Sequence, residues 1–126
     1  MKKVITYGTF DTFHYGHFFL LERAKELGSH LTVCVSTDKF NIQKKGQIPK
    51  LKFSDRYRII NRLSFVDSVC AEECWEQKIN DIKRLNISIF AIGEDWKGKF
   101  DFLKIHCDVV YLSRTNDVSS SLIRGY

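Results

Sequence analysis

Two histidines three residues apart, His14 and His17, close the segment Gly8-Thr9-Phe10-Asp11-Thr12-Phe13-His14-Tyr15-Gly16-His17. The chain has only four histidines, and finding two on one turn sets them apart from ring residues satisfied by chance neighbours. A neutral imidazole donates a hydrogen bond without bringing a fixed charge. Two of them aimed at one phosphate can steady charge as it builds in a transition state. Gly8 lets the backbone approach a ligand, and the amides of a helix opening beyond Gly16 form an anion site. A second segment offers matching chemistry, with Arg114 and Thr115 preceding Ser119-Ser120-Ser121. Arginine pairs with phosphate in forked geometry, and serines at a helix start add hydroxyls and amides.

The elements that must position these groups follow from periodicity. Lys3 to Tyr7 is apolar and β-branched and predicts a strand ending at Gly8. From Gly16 to Leu27, His17, Leu20, Leu21, Ala24 and Leu27 recur at helical spacing, and Gly28 stops the helix. Leu31 to Ser36 predicts a strand buried on both faces. Asn41 to Lys52 is polar and basic and predicts a mobile loop, after which Ser54 caps a helix running to Leu63. Val66 to Ala71, Ser88 to Ile92 and Val109 to Leu112 read as further strands. A helix over Trp75 to Leu85 and a short closing helix over Val118 to Ile123 complete the pattern. The alternation predicts one α/β domain over residues 1–126, a Rossmann-like doubly wound parallel sheet. Ligands of such sheets sit beyond the carboxyl ends of the strands. That places Gly8 to His17, Thr37 to Lys45, Gly93 to Lys99 and Ser113 to Ser121 around one site.

With 44% hydrophobic and 28% charged residues the chain has the makings of a folded core, which excludes disorder as its main state. Twenty lysines and arginines against fifteen acids leave a net charge of +5, which favours an anionic partner. A nucleic-acid module would need a basic stripe with interleaved stacking aromatics, whereas the phenylalanines here mostly alternate inside apolar runs, so no nucleic-acid partner is expected. No apolar run approaches the roughly 20 residues of a membrane span. The start Met1-Lys2-Lys3-Val4-Ile5 lacks a signal-peptide run, so a cytoplasmic location without a membrane partner is expected. The four cysteines are then expected as free thiols, and Cys70, Cys74, His106 and Cys107 make a poor zinc set because neighbours on a strand point to opposite faces.

The segment His14-Tyr15-Gly16-His17 resembles the HxGH signature of the nucleotidyltransferase superfamily, and the longer run from Gly8-Thr9-Phe10-Asp11 resembles its cytidylyltransferase branch. Arg114-Thr115-Asn116-Asp117-Val118-Ser119-Ser120-Ser121 is similar to the RTEGISTT motif of cytidylyltransferases, with Asp117 where the motif has glycine. Trp75-Glu76-Gln77-Lys78 and the stretch from Gly93 to Leu103 resemble the glycerol-3-phosphate branch, and the likeness spans nearly the whole chain. The resemblance implies transfer of CMP from CTP to sn-glycerol 3-phosphate, feeding teichoic-acid or capsule-type polymers. It implies His14, His17, Lys44 and Arg114 as catalytic residues. CTP would be bound by Gly8, Thr9, Phe10, Asp95, Thr115 and Ser119 to Ser121, together with the histidines and Arg114. Asp11, Lys44 and Lys78 would contact the acceptor, Mg²⁺ would arrive on the triphosphate, and the protein would be a homodimer. A cytidylyltransferase for ethanolamine phosphate, choline phosphate or a polyol phosphate is the alternative, and a non-enzymatic nucleic-acid module a distant one. A quaternary ammonium acceptor calls for an aromatic cage, and none is legible in the sequence.

Overall fold

The computed structural model describes residues 2–113. The elements are β1 (Lys3–Gly8), α1 (Tyr15–Glu26), β2 (His30–Ser36), α2 (Asp38–Lys45), α3 (Phe53–Asn61), β3 (Ser68–Glu72), α4 (Gln77–Arg84), β4 (Ile89–Gly93) and β5 (Asp108–Leu112). Two 3₁₀ turns, Glu94–Trp96 and Asp101–Ile105, separate β4 from β5. All strand pairs are parallel, in the order β3-β2-β1-β4-β5, so the order reverses between β1 and β4.

Period-two alternation along β1 builds both cores. Val4 joins Leu21, Leu31, Val33, Ile60 and Ala91 beneath α1 and α3. Ile5 and Tyr7 face the other way, with Ile82, Phe90, Ile92, Phe100 and Leu103 beneath α4 and the 3₁₀ turns. With apolar layers on both faces the strands read as continuous hydrophobic runs. No helix among the described residues is long and apolar enough to cross a membrane.

Some elements differ from the sequence expectation. The polar stretch expected as a loop from Asn41 begins inside α2, whose cap is Thr37, its hydroxyl accepting from the Phe40 amide at 3.1 Å. Gly46 closes that helix in the left-handed region at φ 72°, donating to the Ile42 carbonyl. Ser54 lies inside α3 rather than capping it; the cap position is Lys52. Gly28 follows the end of α1 as expected, but its requirement is space, since a Cβ there would lie 2.5 Å from the Lys2 carbonyl oxygen. Cys34 and Cys70, expected as free thiols, stand opposite each other in the β2–β3 register and are joined as a disulfide. Cys107 lies beside β5 at the opposite edge of the sheet, far from Cys70 in strand order. The closing helix expected over Val118 to Ile123 falls outside the described residues.

Candidate active site

The turn from β1 into α1 sits where the strand order reverses, and it is under local strain. Phe10 and Thr12 hold positive φ of 54° and 47°, which non-glycine residues adopt at a cost. Two contacts hold it there. The Phe10 ring is buried beneath Gly8, where an added Cβ would lie 2.7 Å from Phe10 Cζ. Glycine is therefore required here by the ring as well as by any ligand. Asp11 accepts from the Lys50 amide at 2.7 Å and the Leu51 amide at 2.9 Å, clamping the turn to the segment before α3. Burial alone would raise the Asp11 carboxyl; the Leu51 and Lys50 amides and the Arg56 guanidinium outweigh it and hold the pKa below its usual value. Asp11, expected to contact substrate, thus has both oxygens engaged by backbone.

The two histidines cap α1 reciprocally. His14 Nδ1 accepts from the Gly16 amide at 3.0 Å, and His17 Nδ1 accepts from the His14 amide at 3.4 Å. With Nδ1 committed as acceptor, the proton of each neutral ring belongs on Nε2, leaving Nε2–H as the free donor. The rings stack with centroids 4.1 Å apart, and Phe10 and Phe13 pack against His17. Burial first, then the neighbouring His14, lower the His17 pKa to about 4, with Asp11 opposing.

The unfolded imidazole, near 6.5, takes a proton that the folded ring refuses until about pH 4. The folded state should therefore lose stability as pH falls from 6.5 towards 4. Long-range ¹⁵N–¹H correlation spectra at about pH 6 should show His17 neutral and in the Nε2–H form. A cationic ring at that pH would contradict the geometry.

Beside this turn lies a cavity of about 950 Å³. Gly8, Thr9, Phe10, Asp11, His17, Lys44 and Lys78 all line it; His14 does not, but stacks on the outer side of His17. Asp95 is exposed in the Glu94–Trp96 turn and is not among the lining residues. Arg114, Thr115, Ser119, Ser120 and Ser121 lie outside the described residues. One wall is cationic, formed by Lys44, Lys45 and Lys50. Desolvation lowers the Lys44 pKa, with Glu72 opposing and Lys45, Lys78 and Arg56 adding to the effect. Lys44 Nζ lies 4.7 Å from the Phe40 ring centroid, and Lys45 donates to the Thr9 hydroxyl at 3.3 Å. That hydroxyl donates in turn to Asn41 Oδ1 at 3.0 Å and accepts from the Ser36 hydroxyl at 3.2 Å.

Several residues that build the site owe their part to partners distant in sequence. Arg56, fully buried, donates to the carbonyls of Leu51, Thr9 and Ser36 and pairs with Asp38 at 2.6 Å, tying the ends of β1 and β2 to the segment before α3. Glu72, at the end of β3, holds Lys78 at 2.5 Å with both side chains nearly inaccessible. Gln77 grips the turn that carries Trp75. Its Oε1 accepts from the Glu73 and Cys74 amides, and its Nε2 donates to Ala71 O and Asp81. Tyr7 donates to the same Asp81 at 2.7 Å, and burial, then this bond, push its phenol pKa up. Around Lys78 stand Trp75, Tyr7 and Phe100, with Trp96 packed against Trp75 and Phe100. An aromatic cage is therefore present; its walls come from separate segments, so no local pattern announces it.

A parallel sheet with this strand order, an N–H-donating histidine pair at its switch point and a lysine-walled cavity define a phosphate-handling α/β protein of the nucleotidyltransferase type. The cytidylyltransferase-like family matches residues 5–125, and the chain belongs to that family. Within it, the chain is 54% identical over 124 residues to glycerol-3-phosphate cytidylyltransferase of Bacillus spizizenii, covering 98% of this chain and 95% of that protein. It is 44% identical over 124 residues to the glycerol-3-phosphate cytidylyltransferase of Staphylococcus aureus, covering 98% and 93%. Among solved structures, the lipopolysaccharide core biosynthesis protein of Thermoplasma volcanium superposes with a TM-score of 0.76 at 27% identity, covering 90% of this chain and 98% of that one.

Proposed function

We propose that this protein is an enzyme transferring the cytidylyl group of CTP to sn-glycerol 3-phosphate, giving CDP-glycerol and pyrophosphate. The observation that carries the reaction type is the pair of imidazoles whose Nδ1 atoms are both occupied by backbone amides, at the mouth of a cavity with a lysine wall. The similarity over nearly the full chain to two glycerol-3-phosphate cytidylyltransferases supports the choice of substrates.

In the reaction a phosphate oxygen of the acceptor attacks the α-phosphorus of CTP in line. A new P–O bond forms as the bond to the pyrophosphate oxygen breaks, and the electron pair leaves with pyrophosphate. Positioning and neutralisation of charge are what such a step demands of a protein. Nε2–H of His17, with His14 stacked behind it, donates to the α-phosphate and bridging oxygens as charge grows there. Lys44 neutralises that charge from the α2 side, and Arg114, Thr115 and Ser119 to Ser121 are the residues assigned to the triphosphate. The backbone of Gly8, Thr9 and Phe10 meets the nucleoside end of CTP, and Asp95, outside the cavity lining, is assigned there by the family resemblance alone.

The carboxylates of Asp11 and Glu72 are engaged by two amides and by Lys78. The remaining donor set, ammoniums and imidazoles, suits a polyphosphate whose Mg²⁺ is held by phosphate oxygens. Mg²⁺ bound in that way supplies charge neutralisation on the triphosphate. The protein acts in the cytoplasm as a homodimer, and the activated glycerol phosphate it makes serves teichoic-acid or capsule-type polymer synthesis. The aromatic flank of α1, with Tyr15 exposed against Phe19 and Phe18 against Phe65, supports a subunit contact there.

A pyrophosphate-release screen of the four nucleoside triphosphates against phosphorylated alcohols tests the reading. CTP with glycerol 3-phosphate should be the best pair; faster turnover with ATP or with choline phosphate would overturn it. Lys78→Ala should raise the acceptor KM by about tenfold or more, the scale of one lost charged hydrogen bond, and leave the CTP KM nearly unchanged. Equal effects on both substrates would assign Lys78 a purely structural part.

A further inference from the structure

The aromatic cage has an occupant supplied by the chain itself. Lys78 Nζ lies 4.1 Å from the Trp75 ring centroid, 4.8 Å from Tyr7 and 5.6 Å from Phe100. Glu72 forms the remaining wall, with its carboxylate 2.5 Å from the same nitrogen. Three ring faces and a carboxylate around one point make a receptor for an alkylammonium group. All five residues line the cavity. The Lys78 and Glu72 side chains are only 2% and 3% exposed, so the charge is held inside the wall and not waving in solvent. An ammonium has three donors and Glu72 takes one. A guest entering this corner therefore meets a desolvated positive charge with N–H groups to give.

We propose that Lys78 determines acceptor specificity as a built-in ammonium, filling the box so that phosphorylated amino alcohols are turned away and phosphorylated polyols admitted. An acceptor ending in hydroxyls finds a donor. One ending in an ammonium finds its natural receptor already occupied and faces a like charge, the repulsive element that selective sites commonly carry. This rests on the proposed contact between Lys78 and the acceptor.

Wild type, Lys78→Ala and Lys78→Met are titrated with tetramethylammonium chloride, against sodium chloride at equal ionic strength, following tryptophan fluorescence. Wild type should show no saturable change, because the box is full. Lys78→Ala empties it and should give saturable binding. Lys78→Met keeps the box filled with an uncharged chain and should give none. The same proteins are assayed with CTP and either glycerol 3-phosphate or ethanolamine phosphate. The ratio of the two kcat/KM values should fall by about tenfold or more in both variants, the like-charge mismatch being gone. Saturable binding to wild type, no binding to a folded Lys78→Ala, or an unchanged ratio in Lys78→Met would each overturn the proposal. Should Lys78→Ala fail to fold, the Lys78→Met ratio decides. Wild type inactive towards both acceptors would instead overturn the assigned reaction, while the tetramethylammonium titration, which needs no turnover, would still decide the box.

Discussion

Removing the His17 imidazole is expected to lower kcat by about 10²–10³, the scale for losing one preorganised donor to a charge that develops in the transition state. The expectation depends on His17 being neutral, with its proton on the cavity side, as its lowered pKa and its bond from the His14 amide require. Alanine would also break the reciprocal cap of α1, so the substitutions should spare the cap. His17→Gln keeps an acceptor for the His14 amide, since glutamine serves at that third helical position. His14→Asn keeps an acceptor for the Gly16 amide, since asparagine is a favoured cap. Both variants should melt close to wild type, bind CTP nearly as well, and turn over far more slowly. A variant with normal kcat and only a raised KM would show a histidine that merely binds substrate.

Arg56→Ala should be the most damaging single change to stability, by about 3–5 kcal/mol, because it strands carbonyls that lose their donor at roughly 1–3 kcal/mol each, whereas Asp38, 37% exposed, can turn to water. Arg56 is fully buried, and its loss leaves three carbonyls and the Asp38 carboxylate short of their donor. Those carbonyls belong to Thr9, Ser36 and Leu51, so the same change loosens the strained turn that carries the histidines. Urea unfolding should show the lowered midpoint, and Arg56→Lys should recover only part of it, because an ammonium cannot reproduce the forked geometry. A loss below about 1 kcal/mol, the range of an exposed pair, would mean that solvent replaces the guanidinium.

What the sequence made legible is what local pattern encodes. Strand and helix alternation predicts the parallel sheet, because the central strands β1, β2 and β4 are buried on both faces. The run from Gly8 to His17 stood out because its chemistry is contiguous. Local pattern failed where a residue's partner is distant in sequence. Nothing near Asp11 in the sequence announces the Lys50 and Leu51 amides that donate to it. No local pattern pairs Glu72 with Lys78, yet the end of β3 and the first turn of α4 bury them against each other. The cage escaped notice because Tyr7, Trp75 and Phe100 meet only after three segments have packed. The α2 helix is different, for its signals were present: Thr37 as cap and Gly46 as terminator enclose it, and its polar composition concealed the one buried apolar residue, Phe40.

The central claim is that an acceptor phosphate oxygen attacks the α-phosphorus of CTP and expels pyrophosphate. It is tested most directly by supplying CTP with glycerol 3-phosphate whose phosphate oxygens carry oxygen-18, then analysing the products by mass spectrometry. In-line attack by the acceptor oxygen predicts CDP-glycerol retaining the full label and pyrophosphate carrying none. Labelled pyrophosphate, or consumption of CTP without labelled CDP-glycerol, would contradict it.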